Sequence, residues 1–511
     1  MTGSQQDVID FLMRPETYGL PASAKVARTE THGALVFLAG DYAYKLKRAV
    51  KYPYLDYSTA ELRRDACRAE LAVNRRAAAD LYLEVKAVER AAGGLRLAGA
   101  AEAEAPLDWV LVMRRFDEAD LLEQMRIAGR LTPALMRELA EIVAAFHEAA
   151  ERRPRFGGAA AMSSIVEGNI KVIETMSRVF DTTRIDALAR LSWAAVEQTG
   201  PLLDRRRGEG RVRRCHGDLH LNNICLWQGH PVLFDAIEFN EEFASIDVLY
   251  DLAFLLMDLD RHGLRAFANL VLNRYLERTG DYGGLAALPL FLSCRAAIRA
   301  HVTVTRAEAM HTQAGLDEAR TLLDQAIRYV EPVPPRLIAV AGVSGTGKST
   351  VARAVAPALG EAPGAVILRS DVFRKRMMGV EETKKLPASA YTTEVSDRVF
   401  ATLAETAGAL LRAGHSVILD AVYGDPRYRA DLRHVAQGAG ARFDGIWLVA
   451  SVEVLEARIK GRHGDASDAT AEVLRDQLAK IQPPADWLRV DAARPVDEIA
   501  ADIRTRLSLR A

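Results

Sequence analysis

Residues 216–223 read HGDLHLNN, and Asp218 and Asn223 stand five apart within them. A second carboxylate, Asp235, closes the apolar run PVLFD. An aspartate placed beside an incoming hydroxyl can act as a general base. An Asn amide oxygen and a carboxylate from a separate segment suit Mg2+, which keeps several waters and takes its remaining ligands from nucleotide phosphates. A zinc site built on His216 and His220 is the competing reading. It fails on spacing, because histidines four apart share a face only on a helix. Gly217 and the strand-like RVRRC before it oppose a helix, and no third His or Cys follows at a usual interval.

A second constellation lies further on. GVSGTGKST at 342–350 is G-x-x-x-x-G-K-[ST], set between the apolar run LIAVAG and the helical VARAVAPALG. Gly342, Gly345 and Gly347 let the loop wrap close to phosphates, so that its backbone N–H groups, through Ser344, Thr346 and Thr350, can bind anionic oxygens. Lys348 can reach the β- and γ-phosphates, and Ser349 can ligate Mg2+. ATP with Mg2+ is therefore the expected ligand. Asp371, after the next apolar run, stands at the carboxyl edge where open α/β sheets bind ligands and can take a proton from a hydroxyl. Arg374 can hold an anionic substrate. Asp420 ends VILD, where a strand-terminal carboxylate can position Mg2+. Arg458 and Arg462 in EARIKGRHGDASDAT are four apart, on one helical face, as a clamp on transferring phosphates would be. A helix cap for Asp371 and solvated surface charge for the two arginines are the structural alternatives.

The elements that must carry these residues can be read coarsely. ALVFLAG and YAYKLKR flank Gly40-Asp41, a hairpin signal, and place Lys45 in the second strand. A helical Arg- and Ala-rich stretch comes next at 58–79, then a strand, DWVLVMRRF, and a helix at 133–150. Strands return near 212–216 and in HPVLFDAIEF, and the chain to 330 is mostly helical. EPVPPR at 331–336 marks a seam, because three prolines in five residues cannot continue a helix. Beyond it strands and helices alternate: LIAVAG, AVILRS, a helix near 393–413, SVILDAV, a helix near 426–440, GIWLVA, then helices to the end. That alternation argues for a parallel sheet flanked by helices. The expected domains are 1–330 and 331–511.

His216, Asp218 and Asn223 reproduce the H-x-D-x-x-x-x-N spacing of the kinase catalytic loop, with Asp235 in the place of the second metal-binding Asp. Lys45 would then pair the α- and β-phosphates, held by a helical Glu; Glu70 is the choice and Glu61 the alternative. DWVLVMRRF would offer its backbone edge to adenine. HGDLHLNN and LFDAIEF resemble the aminoglycoside phosphotransferase-like kinases, over about 25–325. The resemblance implies a bilobal protein-kinase-like fold, with a small lobe at about 1–115 and a large lobe at about 116–330. It implies Asp218 as base, Asn223 and Asp235 as Mg2+ ligands, and Asp251 in YDLAFLL as a brace for the loop. One departure stands out: no G-x-G-x-x-G precedes Lys45, only Gly33 in THGALVF. Residues 336–510 resemble the predicted-kinase branch of P-loop proteins, kin to gluconate and shikimate kinases, polynucleotide kinase and zeta toxins. That resemblance implies Asp371 as general base. The whole is similar to bacterial proteins that fuse these two parts.

Bulk properties narrow the partners. Lys+Arg number 67 against 68 Asp+Glu, a formal net charge of -1, without the basic excess of a nucleic-acid binder. The run Arg205–Arg214 reads as a solvated loop before a strand, with phosphate binding the lesser reading. Four scattered cysteines match no metal or redox spacing and fit a reducing compartment. The N-terminus shows no leader pattern, and apolar runs such as FLLM are far short of the roughly 18 residues of a span, so a cytoplasmic protein without a membrane is expected. The function expected is two Mg2+-ATP sites, each phosphorylating a hydroxyl of a small metabolite such as a sugar or amino sugar. The alternatives are one active half regulated by ATP in the other, or a P-loop half acting on nucleic acid or a nucleotide sugar.

Overall fold

The structure, a computed structural model, describes residues 5–31, 33–52, 55–104, 106–461 and 466–509. The chain forms two compact units, each discontinuous in sequence: residues 1–161 with 203–255, and residues 162–202 with 256–511.

In the first unit six antiparallel strands make one sheet. Their order is Ala27–Glu30, Ala34–Ala39, Tyr42–Lys47, Pro106–Arg114, Tyr82–Ala91, Gly94–Gly99. The Gly40-Asp41 turn closes the hairpin, with Ala39 opposite Tyr42 and Gly40 at φ +57°. Successive side chains of a strand point to opposite faces of its sheet. Tyr44 and Leu46 enter one core with Phe37, Val110 and Val112. Ala43 enters the other, with Cys67 of the Ala60–Ala78 helix, Leu111 and Met113. Lys45 and Lys47 therefore face that helix. Thr59 caps it, its side chain accepting from Leu62 N at 3.3 Å.

Two small frames carry the HGDLHLNN loop. Val212–Arg214 pairs with Ser245–Asp247, and Ile224–Trp227 forms a hairpin with His230–Leu233. The sequence reading gave the second strand of that hairpin but not the first. Its turn, Gln228-Gly229, has both φ positive, at 53° and 86°, the conformation of a two-residue hairpin turn written in residues other than the usual Asn-Gly.

The second unit holds a five-stranded, all-parallel sheet, in the order Val366–Arg369, Val417–Asp420, Arg336–Ala341, Arg442–Val449, Leu488–Asp491. Ile338, Val340, Ile418 and Leu448 pack under Val351 and Val355 of one helix and Ile499 and Ile503 of another. Four of the strands lie where sequence alternation puts them. The fifth, LRVD at 488–491, falls in a stretch read as helical, because four residues carry too little periodicity to be recognised.

The seam at 331–336 is not where compactness divides the chain. Helix Arg265–Thr279, before the seam, packs against the edge strand Val366–Arg369 beyond it. Asn273 Nδ2 donates to Ala365 O at 3.1 Å, and its Oδ1 accepts from Ile367 N at 2.7 Å. Asn269 Nδ2 donates to Ala365 O at 3.0 Å. The two buried amides supply bonds that a sixth strand would have made, and so cover an open edge.

Tyr282–Met310 is long and apolar enough to cross a membrane by length and composition, although no short apolar run in the sequence suggested it; 67% of its most apolar window is buried inside the protein. Burial also depresses the pKa of His301, to about 4, and lowers those of His216 and His415. The unfolded chain takes up a proton at each near pH 6.5, while the native chain does so only lower. Stability to urea is therefore expected to fall as pH drops from 6.5 toward about 4, and replacing His301 with Leu should flatten that slope.

Candidate active sites

The catalytic loop of the first unit is built from below. Asp251, buried on the Val248–Arg261 helix, accepts from His216 N at 3.0 Å and Gly217 N at 2.8 Å, and its Oδ2 lies 3.1 Å from His147 Nε2. Gly217 sits at φ +87°, where a Cβ would lie 3.0 Å from Phe243 O, so the turn admits no larger residue. Above this brace, Asn223 Nδ2 donates to Asp218 O at 2.9 Å and to Asp218 Oδ2 at 3.0 Å. Asp218 remains partly exposed, as a group that meets an acceptor must.

The two histidines hold the loop. His216 Nδ1 accepts from Asp218 N at 3.3 Å and its Nε2 bonds Phe234 O at 2.9 Å, a pattern for the neutral ring that burial favours. His220 gained no role from the sequence. Its Nδ1 accepts from Asn222 N at 3.3 Å, and its Nε2 stands 3.3 Å from Asp218 Oδ2. His147, Cys215 and Asp251 bring N, S and O atoms within 4.8 Å of one another. Both Asp251 oxygens already serve loop N–H groups, so this cluster reads as the brace and not as a metal centre.

Lys45 Nζ donates to Glu70 Oε1 at 2.7 Å and to Asp235 Oδ1 at 2.5 Å, while Glu61 is exposed in the first turn of the same helix. Burial works against the Lys45 charge, but Asp235 and Glu70 outweigh it and hold its pKa above the ordinary value. Asp235 has φ +59°, strained for a residue with a Cβ. The strain is imposed by two anchors: Asp235 N donates to Tyr82 OH at 3.0 Å, and Ala236 N to Asn74 Oδ1 at 2.9 Å.

Two charged members of this site had no role at it in the sequence reading: Lys47, and Glu238 of LFDAIEF, which was considered only for an acidic acceptor pocket. Lys47 Nζ lies 2.5 Å from both Glu70 Oε2 and Glu238 Oε1, and Tyr57 OH donates to Glu238 at 2.8 Å. The signal was spacing: Lys47 comes two residues after Lys45 on a strand, hence on the same face. Glu70 is thus shared by two lysines, one on each oxygen. Removing the Glu238 charge leaves buried Lys47 with half of one partner. Glu238→Gln is expected to destabilise the protein by about 3 kcal/mol in urea unfolding, whereas Glu61→Gln should change it little.

In the second unit the glycine-rich loop links the central strand to the Lys348–Val355 helix. A Cβ on Gly342 would lie 2.7 Å from Leu448 O, and one on Gly345 2.9 Å from Leu455 O, both at positive φ. Ser349 Oγ donates to Asp420 Oδ2 at 2.5 Å, and Lys348 Nζ donates to Val343 O at 3.2 Å. These residues line a cavity of about 760 Å³ that also takes in Thr346, Gly347, Thr350, Asp371, Arg374 and Arg458. Asp371 is the second residue of the Ser370–Met377 helix and not its N-cap. Arg374 is buried, donating to Ala390 O at 2.7 Å and Ser396 Oγ at 3.3 Å, its guanidinium 4.9 Å from the Tyr391 ring.

Arg458 lines the same cavity as the P-loop. Its Nη2 donates to Ala492 O at 2.8 Å and its Nη1 to Thr346 O at 3.5 Å, on the wall that carries Val496 and Ile499. Arg462 lies outside the described residues. Gln477 was missed: its Oε1 accepts from Ser344 N at 2.8 Å, using a P-loop N–H that a phosphate oxygen would take.

Both sets of residues fit a hard divalent cation. Asn223 and Asp235 in one site, and Ser349 and Asp420 in the other, offer oxygen donors and no sulfur.

A kinase-type catalytic loop with its Lys–Glu pair, joined to a P-loop on a parallel sheet, defines an ATP-dependent phosphotransferase. Residues 40–288 match the phosphotransferase enzyme family, and residues 337–484 match an AAA domain. The chain belongs to the family that joins these two parts. An uncharacterized protein of Mycobacterium bovis and one of Mycobacterium tuberculosis are each 33% identical to it over 477 residues, covering 91% of this chain and 92% of the relative. Among solved structures, a sugar kinase from Janibacter is 26% identical and covers 34% of this chain and 96% of its own, with a TM-score of 0.28. A gluconokinase from Sinorhizobium meliloti is 25% identical, covering 35% and 98%, with a TM-score of 0.25. A choline kinase from Cryptosporidium parvum is 12% identical, covering 63% and 94%, with a TM-score of 0.38. Kinases of this kind use ATP with a divalent metal.

Proposed function

We propose that the chain carries two Mg2+-ATP sites, each transferring the γ-phosphoryl group to a hydroxyl of a small metabolite, a sugar or amino sugar. What supports this most is the way each site gathers its charged groups. Lys45, Glu70, Asp218, Asn223 and Asp235 converge in one unit, and Lys348, Ser349, Asp371 and Asp420 line one cavity in the other. Asn223 and Asp235 in one site, and Ser349 and Asp420 in the other, would hold Mg2+, which would supply neutralisation of the charge that develops during transfer. The protein's own residues position the reactants.

In the first site Asp218 accepts the acceptor's proton while Asn223 fixes its carboxylate. In the second, Asp371 is the base, Arg374 meets the acceptor, and Arg458 and Arg462 clamp the transferring phosphates. The halves responsible are 1–330 and 331–511, the helix Arg265–Thr279 being lent by the first to the packing of the second. Four buried thiols, none in a disulfide, accord with the cytoplasm.

The experiment is phosphorylation of a panel of sugars, amino sugars and sugar acids by the whole protein, with products read by mass spectrometry. Products that separate into an Asp218→Ala-sensitive set and a Lys348→Ala-sensitive set support two activities. A product that survives both substitutions defeats the reading.

A further inference from the structure

A chain of buried charges runs from the Arg265–Thr279 helix into the P-loop site. Arg369, the last residue of the edge strand, is 3% exposed. Its Nη1 lies 3.5 Å from Glu277 Oε1 on that helix and 3.4 Å from Glu382 Oε1. Its Nε lies 3.4 Å from Asp420 Oδ2, the same oxygen that accepts from Ser349. Behind the two glutamates stands Arg274, 3.1 Å from Glu277 and paired with Glu382 as well. Arg376 secures the helix end by donating to Glu277 O at 2.7 Å.

The guanidinium of Arg369 is therefore divided between the metal-side carboxylate and two carboxylates on its far side. In a buried site such a balance matters, because charges a few ångströms apart interact far more strongly than in water. An arginine that leaned fully on Asp420 would occupy the carboxylate with a fixed positive charge and oppose a divalent cation beside it. The edge strand itself supplies no second anion, and the helix does.

We propose that Glu277 is a positioning residue for the P-loop site: it draws the Arg369 charge away from Asp420 and thereby sets the Mg2+ affinity of that site. Helix Arg265–Thr279, which precedes the proline-rich seam, thus completes the metal environment of the P-loop site. The proposal rests on reading the P-loop cavity as a Mg2+-nucleotide site.

The test uses the full-length protein with Lys45→Ala to silence the first site, and titrates Mg2+ against a fluorescent AMP-PNP analogue. Glu277→Gln is expected to raise the Mg2+ concentration at half-saturation about tenfold, leaving metal-free nucleotide affinity unchanged. Glu277→Asp should recover most of the loss. Adding Arg369→Gln to Glu277→Gln removes the competing cation, so the midpoint should return toward that of the parent, a reversal that lost packing would not give. Glu382→Gln, off the helix, should shift the midpoint in the same direction and guards against a Glu277 variant that fails to fold. Midpoints within twofold of the parent for both glutamine variants, or a double variant as impaired as the single, overturn the proposal. A parent that binds the analogue without Mg2+ dependence overturns the P-loop reading first, and the proposal with it.

Discussion

Asp218→Asn is expected to lower phosphoryl transfer at the first site by about a thousandfold while ATP affinity changes by less than about threefold. The separation of the two effects comes from where Asp218 stands. Its carboxylate is held by Asn223 Nδ2 at 3.0 Å and neighbours His220 Nε2 at 3.3 Å, while Lys45 pairs with Glu70 and Asp235. An asparagine there keeps shape and volume but cannot accept a proton from the acceptor hydroxyl. Single-turnover rates and equilibrium binding of AMP-PNP check the two halves of the expectation. A variant that loses binding as severely as turnover would place Asp218 with the nucleotide and leave the acceptor without a base. Asp251→Asn should be worse for folding than for chemistry, because each Asp251 oxygen serves a loop N–H.

Lys348→Ala is expected to weaken nucleotide binding at the P-loop about a hundredfold, the size of one or two lost bonds to a charged phosphate. Lys348 Nζ donates to Val343 O at 3.2 Å, a carbonyl of its own loop. Ser349→Ala should behave differently: it removes the hydroxyl that bonds Asp420 at 2.5 Å, and so should act chiefly through the Mg2+ dependence of binding. A Lys348→Ala protein with unchanged nucleotide affinity in a Lys45→Ala background would mean that the cavity holds something other than a triphosphate.

How much of this was legible in the sequence depends on the length over which each signal is written. The P-loop, the H-x-D-x-x-x-x-N loop and Asp235 are local patterns, and Lys45 sits in a strand bounded by a Gly-Asp turn. Glu70 was within reach because one helix of suitable phase comes after that strand. Lys47 was visible by spacing, and Glu238 stands inside LFDAIEF, but neither pattern said that the two would pair. Gln477 and Glu277 were not legible at all. Each meets its site across at least 92 residues of chain, through the packing of a helix on a loop or on a strand edge. The same reason hides the division of the chain into units. Asn269 and Asn273 read as ordinary helix-surface residues until the edge strand that they satisfy is in place. The proline-rich seam marks where the backbone is a linker; it does not record which side chains cross.

The number of nucleotides bound per chain tests the two-site reading most directly. Titration calorimetry of the full-length protein with Mg2+ and AMP-PNP should give two equivalents for the wild type. It should give one for Lys45→Ala, one for Lys348→Ala and none for the double variant. One equivalent in the wild type, abolished by a single one of these substitutions, would contradict it.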